Sequence, residues 1–161
     1  MNLFNAKLLT SVTVLALGLL CLEQPALAQS NCKEAKGNTD EVFVIGGNST
    51  SGTLSNGGWL NGTTLVVFTG APSVPFPNVV VFAGQLTITT GQGQLKGSVA
   101  YLFDLVTLKA TVLGNIDPAG STGVFAGATG TLFLNYTKIN VAGNPQTFQS
   151  EVHGQVCFAT Q

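Results

Sequence analysis

Short runs of β-branched and aromatic residues, separated by turns rich in Gly, Pro and Asn, recur along most of this chain. In the run 79–90, the apolar residues Leu86 and Ile88 alternate with threonines, as in a strand with one buried face. The glycines of the next segment, 91–93, supply the backbone freedom that a hairpin turn requires. The sequence therefore predicts an all-β fold of about eight strands, arranged as a single closed antiparallel β-barrel, with a β-sandwich as the alternative.

The strands are predicted where these runs occur, and the segments between them are interpreted as loops. Segment 49–58 consists mainly of Ser, Gly, Asn and Thr, and segment 69–78 contains three prolines, so we expect both to be loops. The predicted strands cover residues 42–45, 59–68, 79–90, 95–103, 108–116, 131–139 and 147–158.

The last predicted strand has one apolar face and one polar face. Glu151 and His153 lie on the polar face between Gln149 and Gln155. An acid–base pair can be imagined there, but two solvated surface residues are the favoured interpretation. The apolar face, which we expect to point into the barrel, comprises Phe148, Val152, Val156 and Phe158.

The N-terminal residues 1–28 have the pattern of a secretory signal peptide. Lys7 precedes an apolar run, 8–22, and small residues stand at the positions that signal peptidase reads before the predicted cleavage after Ala28. A retained membrane anchor is less favoured, because the run is shorter than the roughly 20 residues that a bilayer core requires. A lipid-modified Cys21 is less favoured still, since a leucine precedes it. The sequence thus predicts an exported protein, either periplasmic, at the cell surface or extracellular.

Removal of the signal peptide leaves a chain of the right length for one domain. We divide it into a polar N-terminal arm, 29–40, which shows no periodicity, and a β-barrel domain, 41–161. Two cysteines remain, Cys32 and Cys157. An oxidising compartment favours a disulfide between them over two free thiols.

The composition excludes several classes of function. The chain has no arginine and a net charge of −1, so the basic surface that nucleic acid requires is not expected. Because His153 is the only histidine, a histidine-based triad or a multi-histidine metal site is excluded. The sequence contains no nucleotide-binding, hydrolase or metalloprotease motif. We therefore expect neither a metal nor a cofactor.

The segment 121–132, rich in glycine around one phenylalanine, is the most specific motif of the chain. It resembles the T-G-G-S-G-x-F-x-G-A-x-G stretch of the allene oxide cyclase and dirigent barrel superfamily. It is also similar to a segment of exported bacterial proteins that end in a comparable Gly-Gln-Val-Cys strand. The resemblance implies a barrel in which glycines admit a tight corner and the aromatic residue points inward, and it brings no catalytic residue with it. The matching positions are Thr122, Gly123, Phe125, Gly127, Ala128 and Gly130.

Two classes of function follow from these observations. The first is an exported, non-catalytic barrel that binds a small apolar ligand or serves as a surface or matrix component. The alternative is a cyclase- or isomerase-like enzyme acting on a hydrophobic substrate. A small outer-membrane barrel is a minor alternative, no stable membrane span is otherwise expected, and homo-oligomerisation is left open. Trp59 and Tyr101 could line a ligand site, although an aromatic residue in a strand more often belongs to the core.

Overall fold

A computed structural model describes residues 31–43 and 45–159 of the chain. Eight antiparallel strands pair in sequence order, and the first also pairs with the last, which closes the barrel. The prediction of an all-β closed barrel is confirmed, and the sandwich alternative is wrong. The strands are β1 (Asn31–Phe43), β2 (Ser49–Ser55), β3 (Gly62–Phe76), β4 (Val79–Thr90), β5 (Gly93–Asp104), β6 (Lys109–Ile116), β7 (Thr129–Asn140) and β8 (Gln146–Phe158).

The barrel closes between β1 and β8, which pair along the whole of β1. Cys32 lies directly opposite Cys157 in this ladder, and the two residues form the predicted disulfide. The bond joins positions 125 residues apart in the sequence. In the chain-entropy model, a loop of that length closed in the unfolded state stabilises the native state by about 5 kcal/mol.

The prediction of an N-terminal arm is wrong for residues 31–40, because they belong to β1. This half of β1 has little apolar periodicity, yet its backbone is hydrogen-bonded to β8 along its length and to β2 from Asn38 onward. The inward positions carry small or short side chains, among them the fully buried Ala35 and Thr39. The predicted signal peptide, residues 1–28, lies outside the described residues.

Two segments predicted to be loops are largely strand. Residues 49–55 form β2, whose Ser, Thr and Gly backbone pairs with β1 on one side and β3 on the other. Pro72 and Pro75 lie in the outer part of β3, where its register with β4 shifts after Thr69 and the segment is fully exposed, and Pro77 lies in the turn that follows. Proline has no backbone N–H, and it is tolerated here because an irregular ladder does not require a hydrogen bond from that position. β3 also begins at Gly62 rather than at residue 59.

Side chains alternate between the interior and the outer wall, as β6 shows with every second residue buried. On β8, Val152 and Val156 point inward and are fully buried, whereas Glu151 and His153 are exposed on the outer wall. The interior is a packed core of aliphatic side chains, including Val66, Leu86, Ile88, Leu95, Val99, Val112, Leu132, Leu134, Val152 and Val156.

The two ends of the barrel differ in chemistry. At the closed end, β1 begins and β8 ends, and two short 3-10 turns, 58–60 and 123–125, lie across the opening. Leu60 and Phe125, one from each turn, are fully buried there. At the opposite end, which we call the aromatic end, inward-facing Phe and Tyr side chains come from six strands.

The glycine-rich segment 121–132 lies at the closed end, against the turn between β4 and β5. The backbone N–H of Thr122 donates to the carbonyl of Gln94 over 2.8 Å, and that of Val124 donates to the carbonyl of Gln92 over 3.1 Å. Gly123 has a φ of +64°, and a Cβ there would overlap the backbone of Gln92. The segment thus needs glycine for close backbone approach.

Gly130 offers a test of this segment as a structural element. Its φ is +142°, and a Cβ would overlap the carbonyl of Gln155. We expect Gly130→Ala to lower the free energy of unfolding by about 2 kcal/mol or more, because backbone strain and steric overlap act together. Urea denaturation measures the change.

The matched control is Gly91→Ala, because a Cβ on Gly91 meets nothing within 4 Å. That variant should differ from the wild type by no more than about 0.5 kcal/mol. Equal free energies of unfolding for the two variants would contradict the structural role of Gly130.

Candidate functional site

A buried carboxyl group, that of Glu41, lies inside the barrel near the aromatic end. Glu41 is on the inward face of β1, two residues before the strand ends, and only 2% of it is exposed. Tyr136 donates a hydrogen bond to its Oε2 over 3.0 Å, and Thr64 donates to its Oε1 over 3.1 Å. Both carboxyl oxygens therefore have protein partners, which come from β3 and β7, two strands away from β1 in opposite directions around the barrel.

The environment of Glu41 favours the neutral acid. Burial removes water from the carboxyl group and raises its pKa, and the hydrogen bonds from Tyr136 and Thr64 lower that pKa by less than burial raises it. No lysine contributes to the shift. A protonated carboxyl group can donate a hydrogen bond as well as accept one, which an ionised carboxylate cannot do.

Thr50 Oγ1 and Tyr101 OH are also buried, and neither has a hydrogen bond to any described residue. We call these two hydroxyls, together with the side chains of Glu41, Thr64 and Tyr136, the polar cluster. The Tyr101 hydroxyl lies near those of Tyr136 and Thr50, and this proximity acts on its pKa, but neither contact meets hydrogen-bond geometry. Burial, and then the charge of Glu41, raise the pKa of Tyr101, so the phenol stays neutral. Unpaired buried hydroxyls are uncommon in native proteins and are one mark of a site for water or ligand.

Aromatic rings surround this polar cluster. Phe68 lies at their centre, with its ring centroid 5.5 Å from that of Tyr101, 5.6 Å from that of Phe82 and 6.2 Å from that of Phe43. Tyr136 continues the chain of contacts, 6.2 Å from Tyr101. Phe43, Phe68 and Phe82 are half-buried, so each ring keeps part of its surface exposed. We call this group of six residues the aromatic belt: Phe43, Phe68, Phe82, Tyr101, Tyr136 and Phe148.

Exposed apolar side chains extend the same end beyond the barrel rim. The tip of the β3–β4 hairpin presents Val74 and Phe76, which are 65% and 66% exposed. The neighbouring β5–β6 turn presents Leu105 and Val106, and the N–H of Leu105 donates to the carbonyl of Asn78 in the hairpin. The two tips therefore form one apolar rim beside the aromatic belt.

The residues singled out from the sequence lie in three places. Glu151 and His153 are on the outer wall, each with a 57% exposed side chain and 3.7 Å between His153 Nε2 and Glu151 Oε2. Trp59 lies at the closed end, and only Tyr101 belongs to the polar cluster. Glu151 and His153 are neighbours on the outer wall, but the structure brings neither of them to Trp59 or Tyr101. The motif residues from Thr122 to Gly130 belong to the closed end or to the start of β7.

Sequence reasoning missed Glu41 and its partners Thr50, Thr64 and Tyr136. A usable signal was present, because Thr39 and Ala35 stand two and six residues before Glu41, and even spacings place residues of a strand on the same face. That phase becomes informative only when 31–40 is recognised as strand. An acidic residue at an inward position of a barrel then stands out.

Within the described residues, no group of His, Cys, Asp or Glu is arranged to hold a metal ion. No helix in this part of the chain is long and apolar enough to cross a membrane. Comparison with family models finds no match, and comparisons with curated proteins and with solved structures find none either. The candidate site is therefore defined by its own geometry.

The raised pKa of Glu41 predicts a dependence of stability on pH. The native state holds a proton that the unfolded state releases above its ordinary pKa of 4.5. The stability that this difference contributes is complete below pH 4.5 and is lost as the pH rises through the higher native pKa. Glu41→Gln keeps the shape but cannot ionise, so its stability relative to the wild type should increase as the pH rises over this range.

Thermal unfolding at a series of pH values measures this trend. Glu151→Gln makes the same chemical change on the exposed outer wall and serves as the control for the substitution itself. If the difference in melting temperature between Glu41→Gln and the wild type stays constant with pH, the prediction is contradicted.

Proposed function

We propose that this protein is an exported, non-catalytic binding barrel, which takes a small apolar ligand with one hydrogen-bonding group at its aromatic end. The observation that supports it best is the pair of buried hydroxyls, Thr50 Oγ1 and Tyr101 OH, which have no hydrogen bond among the described residues. They lie beside the carboxyl group of Glu41, whose pKa is raised by burial. A carbonyl or hydroxyl oxygen on the ligand would accept the bond that Tyr101 can donate.

The apolar surroundings suit the rest of such a ligand. Small-molecule sites are mostly apolar, with a few polar groups that set orientation and selectivity. The half-buried rings of Phe43, Phe68 and Phe82 keep part of their apolar surface exposed, and Val74 and Phe76 extend that surface outward. Because the barrel interior is packed, the body of the ligand would lie over the aromatic belt, and only its polar group would pass between the rings to reach the buried Tyr101 hydroxyl.

A second candidate is an isomerase- or cyclase-like activity at the same place. It is favoured by the raised pKa of Glu41, because burial shifts this carboxyl group toward the neutral acid, the form that can deliver a proton and later recover one. Its hydrogen bond with Tyr136 would keep the carboxyl group oriented during such a transfer. This candidate requires Glu41 to ionise during turnover, whereas ligand binding does not.

Binding is tested with prodan, a neutral naphthyl ketone whose emission reports the polarity and hydrogen bonding of its carbonyl group. We expect saturable binding to the wild type and about tenfold weaker binding to Tyr101→Phe, since one hydrogen bond to the ketone is lost. Phe133→Leu changes an aromatic residue on the outer wall and should leave the affinity unchanged. Equal affinity of Tyr101→Phe and the wild type would contradict the proposed site.

Glu41→Gln separates the two candidates. The amide can still donate a hydrogen bond but cannot transfer a proton. We expect prodan binding to be retained in this variant and no turnover of an unsaturated fatty-acid epoxide by the wild type. Turnover by the wild type that is lost in Glu41→Gln, but not in Glu151→Gln, would replace the binding function with the catalytic one.

A further inference from the structure

A separate aromatic cluster lies at the closed end, away from Glu41 and the aromatic belt. The ring centroid of Trp59 is 6.1 Å from that of Phe125 and 5.6 Å from that of Phe158. Phe125 and Phe158 are themselves 6.0 Å apart, so the three rings contact one another. Because Phe125 is fully buried and Leu60 anchors the turn that carries Trp59, the outer two rings are held in place.

These outer rings form one wall of a cavity of about 430 Å³. Trp59, Phe158 and Val124 provide its apolar lining, and the side chains of Gln92 and Lys33 provide polar groups. A volume of this size lies within the range of small-molecule sites. The cavity is outside the packed core and opens to solvent at the closed end, so a ligand can reach it without moving a strand.

Lys33 brings a positive charge to the same cavity. Its Nζ lies 5.4 Å from the centroid of the Phe158 ring, in cation–π contact, which places the ammonium group along the aromatic wall. None of the described residues that line the cavity is acidic. The nearest acid in the sequence, Glu34, is on the opposite face of β1 and pairs with Lys36 at 3.9 Å.

We propose that this cavity binds an apolar carboxylate, with the hydrophobic body of the ligand against Trp59 and Phe158 and its carboxylate group paired with Lys33. The cavity supplies the two features that such a ligand needs, a rigid apolar wall and one cation that no carboxylate among the described lining residues neutralises. Gln92 adds a side-chain amide that can donate to the second carboxylate oxygen. The site is independent of the proposed function at the aromatic end.

Trp59 makes the proposal directly testable, because it is the only tryptophan of the chain. Adamantane carboxylate is a suitable probe, since it is compact, apolar, anionic and does not absorb where tryptophan is excited. We expect a saturable change in Trp59 emission on titration with this probe. The neutral amide of the same acid should bind at least about tenfold more weakly, because the interaction with the ammonium group of Lys33 is lost.

Variants of two lysines on the same strand test the role of charge. Lys33→Met keeps an apolar stem and removes the charge, so adamantane carboxylate should bind about tenfold more weakly, with prodan binding unchanged. Lys36→Met makes the same change on the outer face and should retain wild-type affinity. Absence of a saturable response, equal affinity for the acid and its amide, or unchanged affinity in Lys33→Met would each overturn the proposal.

Discussion

The pairing of β1 with β8 is the contact on which the rest of the structure depends. Without it the sheet would have two open edges, and the inward side chains of the eight strands would face water. The disulfide between Cys32 and Cys157 lies within this ladder and joins its two strands covalently near the closed end. β1 also carries both Lys33 and Glu41, so the closure places the two candidate ligand groups as well.

Closure makes an interior that is apolar over most of its volume, and burial in this interior raises the pKa of Glu41. A carboxyl group in such a place costs free energy unless it is neutral or hydrogen-bonded, and this one has Tyr136 and Thr64 as donors. The same burial raises the pKa values of Tyr101 and Tyr136, so both phenols are uncharged near neutral pH. The barrel thereby holds hydrogen-bonding groups in apolar surroundings, which suits recognition of a ligand that is itself mostly apolar.

Several elements could be predicted from local sequence and others could not. β4 and β8 have clear alternation of apolar and polar residues, and both form where that pattern predicts them. β2 and the first part of β1 consist mainly of Ser, Thr, Gly, Asn and Lys, residues that are typical of loops when considered alone. They are strands because neighbours on both sides satisfy their backbone hydrogen bonds, and that contribution comes from residues distant in the sequence.

The sequence by itself determined the fold class and the two cysteines that join, because alternation, turn residues and cysteine count are local or compositional properties. It also indicated that Glu151 and His153 face outward, since the alternation of β8 is unambiguous. Only the tertiary structure decided which acid is buried. Glu41 meets Thr64 and Tyr136, which are 23 and 95 residues away along the chain, after the closed barrel brings β1, β3 and β7 around one interior. The pKa of a side chain depends on that surrounding interior, and no local pattern in the sequence describes it.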